Sequence, residues 1–381
     1  MTSSSTPSPQ QQGLLGLPNE ILIDIFSYLD DRSVKKSLTV SRRWHEFAWQ
    51  VFVRDLDLTE DRLVRLTGAG GPLEKLQPHV RTVNITILAY EHYAMYSSVG
   101  NDIPGVLRLI NRYHNRLNSA LSLLLATLRQ SPGLKRINLR TVPVVQSMRP
   151  KFSSRLSQEV WDTHSEHPHP MYEWAGSPKL LCPANFPSEQ LTDLTLDFAQ
   201  DFVGFKSSES AGSGAGRVHI CAVIGSELLP NLRRLRCRLK DMCRALVTAP
   251  ESSAVGLGGK PLPLKLEEVI INTDVPLNDW CMGRYSEISR EFVQPCGVRK
   301  VNNAALGELQ DELRAGLRNL AARMKKPKMV RLIWKYPHSS RTAAWDALTG
   351  KSMWISSKGE WDVKFGRWAD FVDVDALARI N

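Results

Sequence analysis

The chain has 381 residues, of which 42% are hydrophobic and 23% charged, an ordinary balance for a globular protein that can bury a sizeable core. Its formal net charge of +10 and sequence pI of about 9.4 permit nucleic-acid, anionic-membrane or acidic-peptide partners without choosing among them, and the plainest reading is a solvated basic surface. No apolar run is long enough to span a bilayer, so no membrane partner is expected. The six cysteines form no CxxC pair and read as reduced thiols of a cytoplasmic and/or nuclear protein.

Residues 1–12 are Ser, Pro and Gln with almost nothing apolar, which predicts a disordered tail. They lack the basic and apolar regions of a secretory signal. From Leu14 to Trp49 the apolar pattern becomes helical. Pro18 suits a first helical turn and Glu20 complements its positive end. Ile21, Leu22, Ile25, Phe26 and Leu29 share a stripe, and Asp30-Asp31 breaks it. Ser33 is the expected cap of a short second helix carrying Val34 and Leu38. A third helix starting near Ser41 puts Trp44, Phe47, Ala48 and Val51 on one face. Three helices this short cannot bury that many large apolar groups among themselves, so the surplus needs a partner or the next domain.

Leu17-Pro18-x-Glu20-Ile21-Leu22, then Ile25-Phe26-x-x-Leu29, then Val40-x-x-Arg43-Trp44 resembles the F-box motif in order and spacing. The resemblance implies a three-helix F-box over residues 13–56 that docks a Skp-type linker protein and, through it, a cullin. Carried over by position, Leu17, Pro18, Ile21, Leu22, Ile25, Leu29, Val40 and Trp44 would form the linker-binding surface. Ser41 stands where the family often has Cys, and Lys35 and Lys36 leave the second helix thin in apolar residues.

Residues 57–381 are expected to form a substrate-recruiting domain with insertions. A helical stretch, a break and an apolar Leu-x-x-Leu-x-Leu triplet recur there. The clearest copies are Leu134-Ile137-Leu139, Leu191-Leu194-Leu196 and Leu232-Leu235-Cys237. Weaker ones are Val80-Val83-Ile85, Leu266-Val269-Ile271 and Met329-Leu332-Trp334. Their uneven spacing resembles the degenerate leucine-rich repeats that often follow an F-box, a pattern common in filamentous fungi, and implies an irregular α/β solenoid. Two long helices support it. Leu117, Leu121, Leu124 and Leu128 step along one and Leu309, Leu313, Leu317 and Leu320 along the other, stopped by Ser131-Pro132-Gly133 and by Pro327. Gly/Ser-rich loops are expected at 207–216 and 248–259, a Pro- and Trp-containing insertion at 142–187, and a hairpin joining 353–356 to 360–365 through Lys358-Gly359. Trp345, Trp354 and Trp368 are expected to cap the end of the solenoid.

Residues between the triplet positions should point to the exposed face. They include Arg136 and Arg140 on one strand, and Arg234, Arg236, Arg238 and Lys240 on another. Like charges on one strand face repel, and arginine clusters suit carboxylates and phosphates, so these residues are the candidate site for an acidic or phosphorylated protein target. Long basic stems covering apolar neighbours would equally account for them. The same strand offers an alternative reading as a basic nucleic-acid-binding nuclear protein, although nucleic acid is not the leading expectation. No catalytic constellation stands out, so no enzyme activity, metal or cofactor is expected: His164, His167 and His169 lack matching ligands elsewhere, and Gly212–Gly216 lacks the spacing and lysine of a phosphate loop.

Overall fold

The computed structural model describes residues 17–68, 70–89, 103–143, 190–197, 220–239, 241–248, 263–273, 294–295, 303–335 and 342–355. Three helices open it: α1 (Asn19–Ser27), α2 (Asp31–Ser37) and α3 (Arg42–Phe52). Ser41 caps α3 by accepting a hydrogen bond from the Trp44 amide. The cap of α2 is Asp30 rather than Ser33: its carboxylate accepts from the Ser33 amide at 2.7 Å, and this bond holds the Asp30 pKa below its usual value. One residue type thus ends the first stripe and starts the second helix.

The chain enters the body without a linker. Strand β1 (Asp55–Thr59) begins just after α3, and helices α4 (Glu60–Thr67) and α5 (Leu73–Leu76) lead to β2 (Thr82–Ala89). Then come α6 (Ile103–Leu128), β3 (Arg136–Pro143) and β4 (Asp193–Asp197). Helix α7 (Ile220–Val223), continued by a π-turn, precedes β5 (Arg234–Arg238) and β6 (Asp241–Met242). Strands β7 (Glu268–Asn272) and β8 (Gln294–Pro295), helix α8 (Asn303–Arg323) and strands β9 (Met329–Lys335), β10 (Thr342–Asp346) and β11 (Ser352–Ile355) complete it.

The result is an open, mixed α/β architecture. Among the described residues nine strands form one sheet in the order β1-β2-β3-β4-β5-β7-β9-β10-β11. It is parallel from β1 to β9 and closes with antiparallel β10 and β11. The order never reverses along the parallel part. Each parallel step is locked the same way: the carbonyl just before one strand accepts from two successive amides at the start of the next. Arg54, Arg81, Lys135, Thr192, Arg233 and Glu267 each supply such a carbonyl.

The triplets form the inner face. Leu134, Ile137 and Leu139, Leu191, Leu194 and Leu196, and Leu232, Leu235 and Cys237 are all 1% exposed or less. Burial pushes the Cys237 thiol pKa well up, so it stays protonated. Leu117, Leu121, Leu124 and Leu128 of α6 and Leu309, Leu313, Leu317 and Leu320 of α8 pack on the same core. The sheet departs from the sequence pattern at two positions. Val53-Leu56-Leu58 is a further copy, in register with Val80-Val83-Ile85, so the sheet begins at Asp55 inside the segment assigned to the helical module. In β9, Val330 and Leu332 pair with Val269 and Ile271, so the last triplet sits two residues earlier than its sequence pattern implies. A shift of two keeps the same face, which is why Leu332 and Trp334 still point inward.

Strand β11 pairs with β10 through a turn in which Gly350 takes a positive φ of 71°. The expected partner at 360–365 lies outside the described residues, as do 1–12, the histidine trio, Trp368 and the predicted insertion and Gly/Ser-rich loop cores. Trp345 is buried in the main core, and Arg318 of α8 lies 5.0 Å from its ring centroid. Among the described residues no group of His, Cys, Asp or Glu could hold a metal ion, and no helix is long and apolar enough to cross a membrane.

Candidate functional site

The helices divide their apolar residues between two directions. Leu22, Phe26, Val34 and Ala48 form a small core with Leu17, Leu38, Trp44, Phe47, Val51 and Phe52 packed on it. Phe26 meets Trp44 edge-on, with centroids 5.4 Å apart. Arg43 ties the arrangement together by donating to the Leu17 carbonyl and to Asn19 Oδ1, which fixes the start of α1 against α3.

What the core leaves out is the informative part. Ile21 is 44% exposed, Leu29 39%, Val40 59% and Tyr28 88%. Four of the six large hydrophobic side chains exposed among the described residues therefore lie on this one small unit. Its other expected docking residues sit differently: Pro18 is exposed, Leu17, Ile25 and Trp44 are half-buried, and Leu22 is 1% exposed. Leu22 is a core residue, because the helical stripe splits and its inner half is consumed by α3. Tyr28 was missed, although Ile21, Ile25 and Tyr28 stand at i, i+4 and i+7 on one helical face.

The outer face of the sheet carries the arginines. Arg234 pairs with Asp193, Arg236 with Glu268 at 2.6 Å, and Arg238 with Asp197 through two bonds of 2.7 and 2.8 Å. The pairing follows from register: β4 places Asp193 and Asp197 opposite Arg234 and Arg238, and β7 places Glu268 opposite Arg234. The repulsion expected from one strand of arginines is thus cancelled by its two neighbours, as opposite charges across strands do. The Arg238 side chain is only 7% exposed, so it is an internal ion pair in this fold. On β3, Arg136 lies in register with Asp193, and Arg140 is exposed and donates to Thr86 Oγ1. Lys240 lies outside the described residues.

Further along, this face turns apolar. Ile270, Ile333, Ala344 and Met353 are each 1% exposed or less and form a second cluster, so Ile333 is buried where the strand pattern predicted exposure. Arg331 lies 3.7 Å from Asp346. At the other end Asn138 donates to Asn84 and Asn84 to Asp57, a polar ladder across three strands.

Residues 14–58 match the family model described as F-box-like. The match covers the three helices and runs into β1. No curated protein matches the chain.

Proposed function

We propose that this chain, carrying an F-box-like module at residues 14–58, is a substrate-recruiting adaptor of a Skp–cullin–F-box ubiquitin ligase, acting in the cytoplasm and/or nucleus. The module docks the linker protein and the sheet domain recruits the target. On this reading the chain performs no chemistry and uses no cofactor. It raises the effective concentration of a target beside the ubiquitin-loaded enzyme. The in-order parallel sheet, with its repeated carbonyl lock at each step, supports reading the body as an irregular leucine-rich-repeat-like solenoid of the fungal, degenerate type.

The observation that carries the proposal is the exposed apolar surface of Ile21, Tyr28, Leu29 and Val40 on a unit whose core is already filled. Apolar area left in water is what association removes, at about 25 cal/mol per Å² buried. The test is co-purification of the full chain with a Skp-type linker, beside an Ile21→Ser/Val40→Ser double variant. Both side chains are exposed, so the variant should unfold within about 0.5 kcal/mol of the parent. A one-to-one complex with the parent, lost in the variant, supports the reading. No complex with the parent overturns it, and an equal complex with both removes the exposed residues as the docking surface.

A further inference from the structure

The excess positive charge needs another location, since the arginines of β5 are matched by carboxylates. The edge where the strands start supplies it. Here the residues whose carbonyls accept the locking bonds stand in one row, and Arg81, Lys135 and Arg233 belong to it, followed by Lys328 at the start of the last parallel strand. Arg81 and Lys135 are exposed, and the Arg233 and Lys328 side chains are 57% and 67% exposed. A second set joins them. Leu264 accepts a backbone bond from Lys325 and donates one to Arg323, which brings exposed Lys265 beside exposed Lys325 and Lys326.

Among the described residues, the acids at the starts of β4 and β7 are engaged in ion pairs. Asp193 and Glu268, each at the first position of its strand, point to the outer face and hold Arg234 and Arg236. Among the described residues of the row Glu267 is the one carboxylate, and it bridges Arg233 and Lys328 at 2.6 Å each. The outer-face ion pairs therefore have a second effect: they leave the row of strand starts cationic.

We infer that this strand-start edge, centred on Lys135, Lys265 and Lys326, binds an extended acidic segment of the recruited protein. The inference rests on the adaptor reading. Neighbouring strands lie about 4.8 Å apart, so the row from β2 to β9 spans roughly 24 Å, the length of about seven extended residues. Cations in a line suit a chain that repeats its own charge at a similar pitch. The segments that form the edge, 77–81, 129–135, 190–192, 229–233, 263–267 and 323–328, contain no Phe, Tyr or Trp. Single-stranded nucleic acid is held by bases stacking on aromatic rings as well as by cations, so carboxylates fit the edge better than a single-stranded nucleic acid does.

Fluorescence anisotropy with a labelled octaglutamate peptide and the full chain tests this. The expected result is saturable binding that weakens at least about tenfold between roughly 0.05 and 0.2 M salt. The reversal Lys135→Glu/Lys265→Glu should weaken it by a similar factor, and the milder Lys135→Gln/Lys265→Gln should weaken it measurably. Lys35→Glu/Arg62→Glu, with the same change of net charge elsewhere, should stay within about twofold. Equal losses in both reversals, loss confined to an Arg136→Glu/Arg140→Glu variant, or no saturable binding would each overturn the inference. So would a short DNA duplex that displaces the peptide at lower concentration than unlabelled octaglutamate does. Linker co-purification of the parent chain separates the two proposals: a parent that holds the linker but binds no peptide sinks this inference alone, whereas a parent that holds no linker sinks the adaptor reading.

Discussion

The helical module and the sheet domain handle apolar side chains in opposite ways. In the sheet, every clear triplet is driven to near-zero exposure between the strands and helices such as α6 and α8. In the module, three short helices fill a core of a few residues and leave Ile21, Tyr28, Leu29 and Val40 in water. The first arrangement is what stability alone selects. The second costs solubility, and a sequence retains it where another surface covers it. The contrast shows that burial alone does not rank residues by importance: the buried leucines hold the sheet together, while on the adaptor reading the exposed ones specify a partner.

Three changes would break or sharpen that contrast. The largest effect is expected from Leu194→Ala, which opens a cavity in the middle of the parallel sheet where Leu194 is 1% exposed and should cost about 2–5 kcal/mol. Denaturant unfolding of the full chain reads it directly, and a loss below about 1 kcal/mol would mean that the two regions are less different than their burial suggests. A smaller effect is expected from Ser41→Ala, which removes the bond to the Trp44 amide and should cost about 1 kcal/mol. Because that bond starts α3, the loss should appear as faster hydrogen exchange in the module before the sheet is affected.

The smallest effect concerns pH. Hydrogen bonds from Arg233 and Lys328 lower the Glu267 pKa from an ordinary 4.5 to about 2. A carboxylate with a depressed folded-state pKa contributes stability above its unfolded value and loses it as the pH falls through the folded one. The Glu267 contribution should therefore be complete above about pH 4.5 and fade towards pH 2. A Glu267→Gln variant should show a flatter stability profile over that window, and identical profiles would mean that the bridge contributes nothing to folding.

The sequence displays some of this openly and conceals the rest for physical reasons. Helices α6 and α8 are legible because a leucine every three or four residues admits few other readings. The module is legible because its motif is local. Strand β10 was missed since Thr342-Ala343-Ala344-Trp345-Asp346 is buried at every position, which removes the alternation that marks a half-exposed strand. The Val53 copy was hidden because it overlaps the end of the helical module. The ion pairs of Arg234, Arg236 and Arg238 depend on which strands flank β5 and in what register, and that is a property of the folded sheet. Of the module's expected surface, Ile21, Leu29 and Val40 are exposed as read, whereas Leu22 turns inward because helix packing decides which half of a wide stripe meets its neighbour.

The junction between the two regions has a consequence of its own. Helix α3 ends at Phe52 and β1 starts at Asp55, and Phe52 packs against both hydrophobic cores. A joint this short transmits orientation as well as position, so on the adaptor reading the angle at which a target is offered is built into the chain. Such an adaptor works as a jig: it selects which target lysines come within reach of the incoming ubiquitin by where they lie on the target's surface, without recognising any of them individually.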